Sequence, residues 1–171
     1  QREDEEGFRN LVQNIDGIGA LEMVPQMRGP ITKVNDIPAR EVEADPDVAW
    51  VLRADRGLTY ARRLPEGNVI TKGTWWPEDY QGPPLVSMGD EIARGLGLDV
   101  GDTISLSIFG REITAEIANL RQIDWGSYGF NFVIIFAPGT LEAAPHSFMA
   151  TVEADGPVEE LAYSQVTDQF P

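Results

Sequence analysis

A chain of 171 residues, 42% hydrophobic and 24% charged, is long enough for one globular domain or two small lobes and too apolar to be disordered. Its 13 basic against 28 acidic side chains leave a net charge of −15 at pH 7, so a phosphate backbone or an anionic membrane surface would be repelled, and nucleic acid is set aside as a partner. The absence of cysteine excludes thiolate metal sites, redox pairs and a disulfide framework.

Phe8, Leu11, Val12 and Ile15 recur at helical spacing, so residues 3–15 are expected to form an amphipathic helix stopped by Gly17. Residues 21–34 are expected as two extended segments, broken at Pro25 and at Arg28-Gly29-Pro30. Residues 36–47, with two prolines and several acids, should be a surface excursion. From Ala49 the pattern turns β-rich: Ala49–Ala54, Leu58–Leu64 and Asn68–Trp76 are short extended pieces between turn residues.

A strand at 84–87 should lead into a helix over 90–96 that ends at Gly97. After the turn Asp99-Val100-Gly101-Asp102, residues 103–109 and 112–120 alternate around Gly110 as a hairpin, a sequence of elements common in small β-barrels. Phe130–Ala137 is the longest apolar run; it is strand-sized and far short of the roughly 20 residues that span a bilayer. Trp125, Phe130, Phe132 and Phe136 are expected in the core. The chain closes with a strand and a helix starting near Pro157 whose apolar face carries Val158, Leu161, Ala162 and Val166.

A helix–strand start and a strand–helix finish each lack one strand of a split βαβ unit. The expected fold class is therefore α+β. Residues 1–35 and 146–171 form an α/β lobe whose missing strands lie beyond both ends, and residues 36–145 form an inserted β-rich, small-barrel-like lobe. The charged opening shows no secretory leader, and a start without methionine together with an abrupt end reads as part of a longer protein.

The chemistry-bearing residues offer little. Asp124, Ser127 and the single histidine, His146, are the parts of a serine hydrolase, but Gly126-Ser127-Tyr128-Gly129 is not a nucleophile elbow and His146 is expected to sit exposed after Pro145. Asp124 is expected instead to cap or pin the loop before the core strand. The acids at 3–6 suit the positive end of a helix, and Asp45-Pro46-Asp47 lacks the spaced ligands of a calcium loop. No pair of carboxylates is singled out for glycoside chemistry, and no glycine-rich loop has phosphate-cradle spacing. The expectation is no catalytic residue, no metal and no cofactor. Adjacent Trp75 and Trp76 on a strand would face opposite sides, leaving one for a partner or under a covering loop; Trp75, Trp76 and Tyr80 are the candidate partner contacts.

Arg121, Ile123, Asp124-Trp125, Gly126-Ser127, Asn131-Phe132, the aliphatic strand 133–136, Pro138-Gly139, Leu141 and Ala150-Thr151 occur in an order that resembles the extracytoplasmic domain of FtsX-like and MacB-like ABC-transporter permeases. The closest resemblance is to the branch with two such domains per chain that is associated with lysophospholipase-type genes. The segments 25–36, 58–76 and 92–121 fit the same pattern in the same order; Pro30 departs from it where an arginine or similar is expected. The resemblance implies a non-enzymatic periplasmic domain of an inner-membrane protein. It would be attached to the remaining transmembrane part of the permease, served indirectly by a cytoplasmic ATPase subunit, and would relay ATP-driven change or dock an envelope lipid, lipoprotein, peptide or enzyme. A serine hydrolase built on Asp124, Ser127 and His146, and a stand-alone barrel-type binding module, are the alternatives.

Overall fold

The structure, a computed structural model, describes residues 4–126, 130–154 and 156–170. The chain divides into two compact units, one of residues 1–26 with 145–171 and one of residues 27–144.

In the first unit, helix α1 (Glu5–Gln13) buries Val12 and carries Glu5 and Glu6 in its first turn, where acids suit the helix dipole. Gly17, at φ +91°, makes the turn into strand β1 (Ile18–Gly29), a backbone conformation that side chains rarely adopt. The β1 residues of this unit, 18–26, pair antiparallel with β10 (Ser147–Ala154), which leads into helix α3 (Gly156–Gln169). The two helices are tied by Phe8, whose ring meets Phe170 edge-on at 5.8 Å between centroids. Pro25 lies within β1, opposite Phe148, and does not break it as expected. Among the described residues this stretch pairs along one edge alone, so a residue without an N–H is accommodated.

The second unit is built on strands β2 (Ile31–Val34), β3 (Ile37–Pro38), β4 (Arg56–Tyr60), β5 (Val69–Gly73), β6 (Leu85–Gly89), β7 (Thr103–Ile108), β8 (Arg111–Gln122) and β9 (Ile134–Phe136). Pairing runs β4–β9–β6–β8–β7–β2, with β4–β9 and β6–β8 parallel and the rest antiparallel. The last residues of β1, Met27–Gly29, pair with β4. Gly29, Pro30 and Ile31 are consecutive, so the pairing returns to its start through one bent strand and describes a barrel-like ring. Inside it pack Met27, Leu58, Val86, Met88, Ile104, Leu106, Ile117, Ile134 and Phe136, all buried. The sequence reading assigns residues 27–35 to the α/β lobe. The structure folds them into the second unit because β2 is a ring strand of that core.

Local chemistry explains the joints. Helix α2 (Asp90–Gly95) ends with Gly97 at φ +70°, while the Leu98 amide donates to the Ala93 carbonyl and the Gly97 amide to that of Arg94, a Schellman termination. Ile108 and Arg111 pair across a two-residue turn in which Phe109 and Gly110 both have positive φ, the twist that suits a tight hairpin. Residues 49–54, expected to be extended, instead hold a 3-10 turn at Ala49–Leu52. Val48 and Val51, three apart, both enter the core there, and Trp50 remains outside with the Arg56 guanidinium 5.2 Å above its ring.

Two glycines separate conformational cost from packing. Gly29 lies against the Ser107 carbonyl, where an added methyl would collide with the oxygen, whereas a methyl on Gly7 in α1 would make an ordinary 3.5 Å contact with Phe170. Gly29→Ala is expected to lower stability by about 1–3 kcal/mol, and Gly7→Ala to raise it by about 0.5–1 kcal/mol, both read by urea denaturation.

Candidate functional site

The inward face of β8 is set by strand alternation. Ala115, Ile117, Asn119 and Arg121 are all buried, so period-two geometry carries a charged side chain into the core. Arg121 has no exposed surface. Its guanidinium donates to Asn68 Oδ1 at 3.1 Å, to Ser87 Oγ at 3.1 Å, and to the main-chain carbonyls of Phe132 and Val133. Ser87 in turn donates to Asn119 Oδ1 at 2.5 Å, and the Asn119 amide reaches the Thr74 carbonyl at 3.2 Å.

All four acceptors of the guanidinium are neutral. Burial pushes the Arg121 pKa down to about 10, so the side chain is still protonated at neutral pH. Its five donors in a planar fork suit several carbonyls at once, which a lysine could not match. Arg121 is quoted in the sequence pattern without a role; the inward parity of residues 115, 117, 119 and 121 was the signal that marks it.

Directly after β8 the chain turns outward. Asp124 Oδ1 accepts the Gly126 amide at 3.0 Å, the local pinning expected of it, and Asp124 itself is exposed. Trp125 is not a core residue as expected: it is 55% exposed, because the turn closed by Asp124 carries it past the end of the strand. Phe132 and Phe136 are buried, while Phe130 is half-buried. Trp125, Gln122 and Ile123 face the start of α2, residues 89–92, across an open cavity of about 70 Å³. Gly89 permits the approach, since a Cβ there would stand 2.9 Å from Ile123 Cδ1.

Ser127 lies outside the described residues, Asp124 belongs to the second unit and His146 to the first. His146 is half-buried rather than exposed, with its ring edge-on to Phe148 at 5.2 Å. Among the described residues no three of His, Asp and Glu are grouped closely enough to hold a metal ion. Besides Arg121, the groups with shifted pKa among the described residues are in surface ion pairs: the Glu112 hydrogen bond raises Lys33, the Lys33 bond lowers Glu112, and the Lys72 bond lowers Asp99.

Trp75 and Trp76 do not face opposite sides. Strand β5 ends at Gly73, whose φ of +74° and close approach to the Ala118 carbonyl stop the extended run, and the two indoles then stack on each other at 4.1 Å. Their N–H groups donate to the carbonyls of Arg62 and Ala61 at 3.0 and 2.8 Å. Trp76 is buried, Trp75 and Tyr80 half-buried, and the Tyr80 hydroxyl donates to the Pro83 carbonyl at 2.7 Å.

Replacing Arg121 strands several buried polar groups at once. Arg121→Met should lower stability by about 3 kcal/mol or more in urea denaturation, and Arg121→Lys should recover less than roughly half of that loss because one ammonium cannot serve four separated acceptors.

No family profile matches the chain. Over 147 residues, 86% of this chain, it is 31% identical to the ABC transporter permease YbbP of Escherichia coli K12 and spans 17% of that protein's length. Over 90 residues, 51% of this chain, it is 33% identical to deoxyuridine 5'-triphosphate nucleotidohydrolase of Actinobacillus succinogenes and spans 58% of that one. A solved domain named for a permease of Porphyromonas gingivalis superposes over 95% of this chain and 69% of its own, at 12% identity and a TM-score of 0.48. Among the described residues no helix is long and apolar enough to cross a membrane. The 171-residue chain is homologous to one segment of an ABC transporter permease.

Proposed function

We propose that this chain is the extracytoplasmic, periplasmic domain of an FtsX-like or MacB-like permease, and that it works without catalysis. In this role it transmits ATP-driven movement from the transmembrane part of the permease, powered by a cytoplasmic ATPase subunit, or docks an envelope lipid, lipoprotein, peptide or enzyme. The observation that carries the reading is the 31% identity to YbbP over 86% of the chain. It is supported by the nature of the largest buried polar group. Arg121 spends its donors on two main-chain carbonyls and on the neutral side chains of Asn68 and Ser87, which suits a stiff transmitting body rather than a group that turns over a substrate.

The first unit fits attachment to the rest of a permease. Its two-stranded ribbon pairs on inner edges alone among the described residues, and such a ribbon gains stability from further strands, which flanking segments of the permease would supply. Trp75 and Tyr80 are the proposed partner contacts of the aromatic group, with Trp76 serving the core beneath them.

Sidedness is the direct test. These 171 residues hold no cysteine, so Phe109→Cys at the exposed hairpin tip, in a full-length protein whose cysteines outside this chain are replaced by serine, provides a single thiol. A membrane-impermeant maleimide should label it in intact spheroplasts; labelling confined to lysed cells would favour a cytoplasmic binding module. The likeness to nucleotidohydrolases over half the chain motivates a second assay. Incubation of the purified chain with deoxyuridine triphosphate should release neither phosphate nor pyrophosphate above background, and release that survives purification would overturn the non-catalytic reading.

A further inference from the structure

The cavity between Trp125 and the start of α2 combines three features that act on the same kind of ligand. Its wall includes the Trp125 indole, 55% exposed in spite of its large apolar surface. The start of α2 contributes Gly89, Asp90, Glu91 and Ile92 to its lining, two of them acidic. The Asp90 side chain is 18% exposed, and Arg94 stands 4.0 Å away at the outer limit of an ion pair, with its own side chain 70% exposed. An aromatic face beside carboxylates in a partly desolvated recess attracts an organic cation by both cation–π and Coulomb terms.

Size narrows the class. A volume of about 70 Å³ is far below the roughly 300 Å³ or more of pockets that enclose whole small molecules. It has room for the head of one projecting side chain. The surrounding charge points the same way, since a chain at −15 steers basic partners toward itself and disfavours acidic ones.

We propose that this cavity receives a lysine or arginine side chain of a partner polypeptide, its cationic head lying over the Trp125 ring within reach of Asp90 and Glu91. The site stands on its own geometry and does not depend on the permease reading: Trp50, the other exposed tryptophan, already has Arg56 over its ring, whereas Trp125 has no cation over it among the described ring contacts. Arg121 and Gly89 act as positioning residues. The first grips the carbonyls of Phe132 and Val133 on the returning chain, and the second lets Ile123 close the floor.

The test uses the 171-residue chain labelled with ¹⁵N, and follows the indole N–H resonance of Trp125. The probe is N-acetyl-arginine N-methylamide, with its neutral isostere N-acetyl-citrulline N-methylamide and choline as comparisons. The arginine probe is expected to shift the Trp125 resonance saturably, and the citrulline probe to bind about tenfold more weakly or less. Trp125→Ala should abolish the response in the neighbouring Ile123 and Glu91 amides. Glu91→Gln, an exposed change that leaves packing intact, should weaken binding severalfold and reduce its dependence on salt, while Trp50→Ala should change neither. An equal response to citrulline would show an apolar contact and overturn the cationic assignment. Tighter binding of choline than of the arginine probe would assign the site to a quaternary ammonium head group and overturn the polypeptide partner. The absence of any saturable shift at Trp125 would overturn the site itself.

Discussion

A charged guanidinium without surface exposure is the constraint around which the second unit is organised. Taking a cation out of water is expensive, and the cost is tolerable here because every nitrogen of the planar fork meets an acceptor. Those acceptors come from distant parts of the chain: Asn68 just before β5, Ser87 in β6, and Phe132 and Val133 beside β9. One side chain therefore fixes the relative positions of three segments that lie 11 to 53 residues from it in sequence. The chain of bonds continues through Asn119 to the Thr74 carbonyl, so the segment that carries the stacked tryptophans is anchored to the same network.

The ring of strands meets a second requirement, closure. Parallel pairs such as β6–β8 and β4–β9 cannot be joined by tight turns and need crossovers. For β6–β8 that crossover is α2, the Schellman turn at Gly97, the Asp99–Asp102 turn and the β7 hairpin. The Asp102 carboxylate caps the Asp99 amide at 2.8 Å, and the Gly101 amide bonds the Ile117 carbonyl at 2.9 Å, so the crossover is held to β8 by its own turn. The bent β1–β2 strand then completes the ring at the point where Gly29 lets backbone approach backbone. A methyl group would open that seam.

Functionally, the molecule separates a rigid interior from a few deliberate exposures. The buried polar atoms are spent on one another. The surface carries the acid surplus and a small set of large exposed apolar groups, among them Trp50, Phe109 and Trp125. The proposed relay or docking role draws on this division. The relationship to a permease segment agrees with this division, and the charge of the surface shapes which partners approach it.

Much of the architecture was legible from residue order. The amphipathic spacing of Phe8, Leu11 and Val12, the Gly97 stop, and the alternation of residues 103–120 around a glycine turn are local patterns, and local sterics and hydrophobic periodicity decide them. The ordered motif that runs through Arg121 to Thr151 likewise carried the permease resemblance in the sequence itself. What residue order did not decide were questions of which distant backbone lies alongside. Residues 27–35 joined the second unit because β7 offered their strand a partner; Ala49–Leu52 coiled because two valines three apart had a core to enter; Trp75 and Trp76 stacked because Gly73 ended their strand against β8. Trp125 was read as core by its apolarity and became surface because the Asp124 turn carried it outward, while Arg121 was charged and became core because strand parity and four carbonyl or side-chain acceptors awaited it. Hydrophobicity and propensity are properties of a residue, but burial depends on the acceptors and surfaces that folding brings to it, and those exist only in three dimensions.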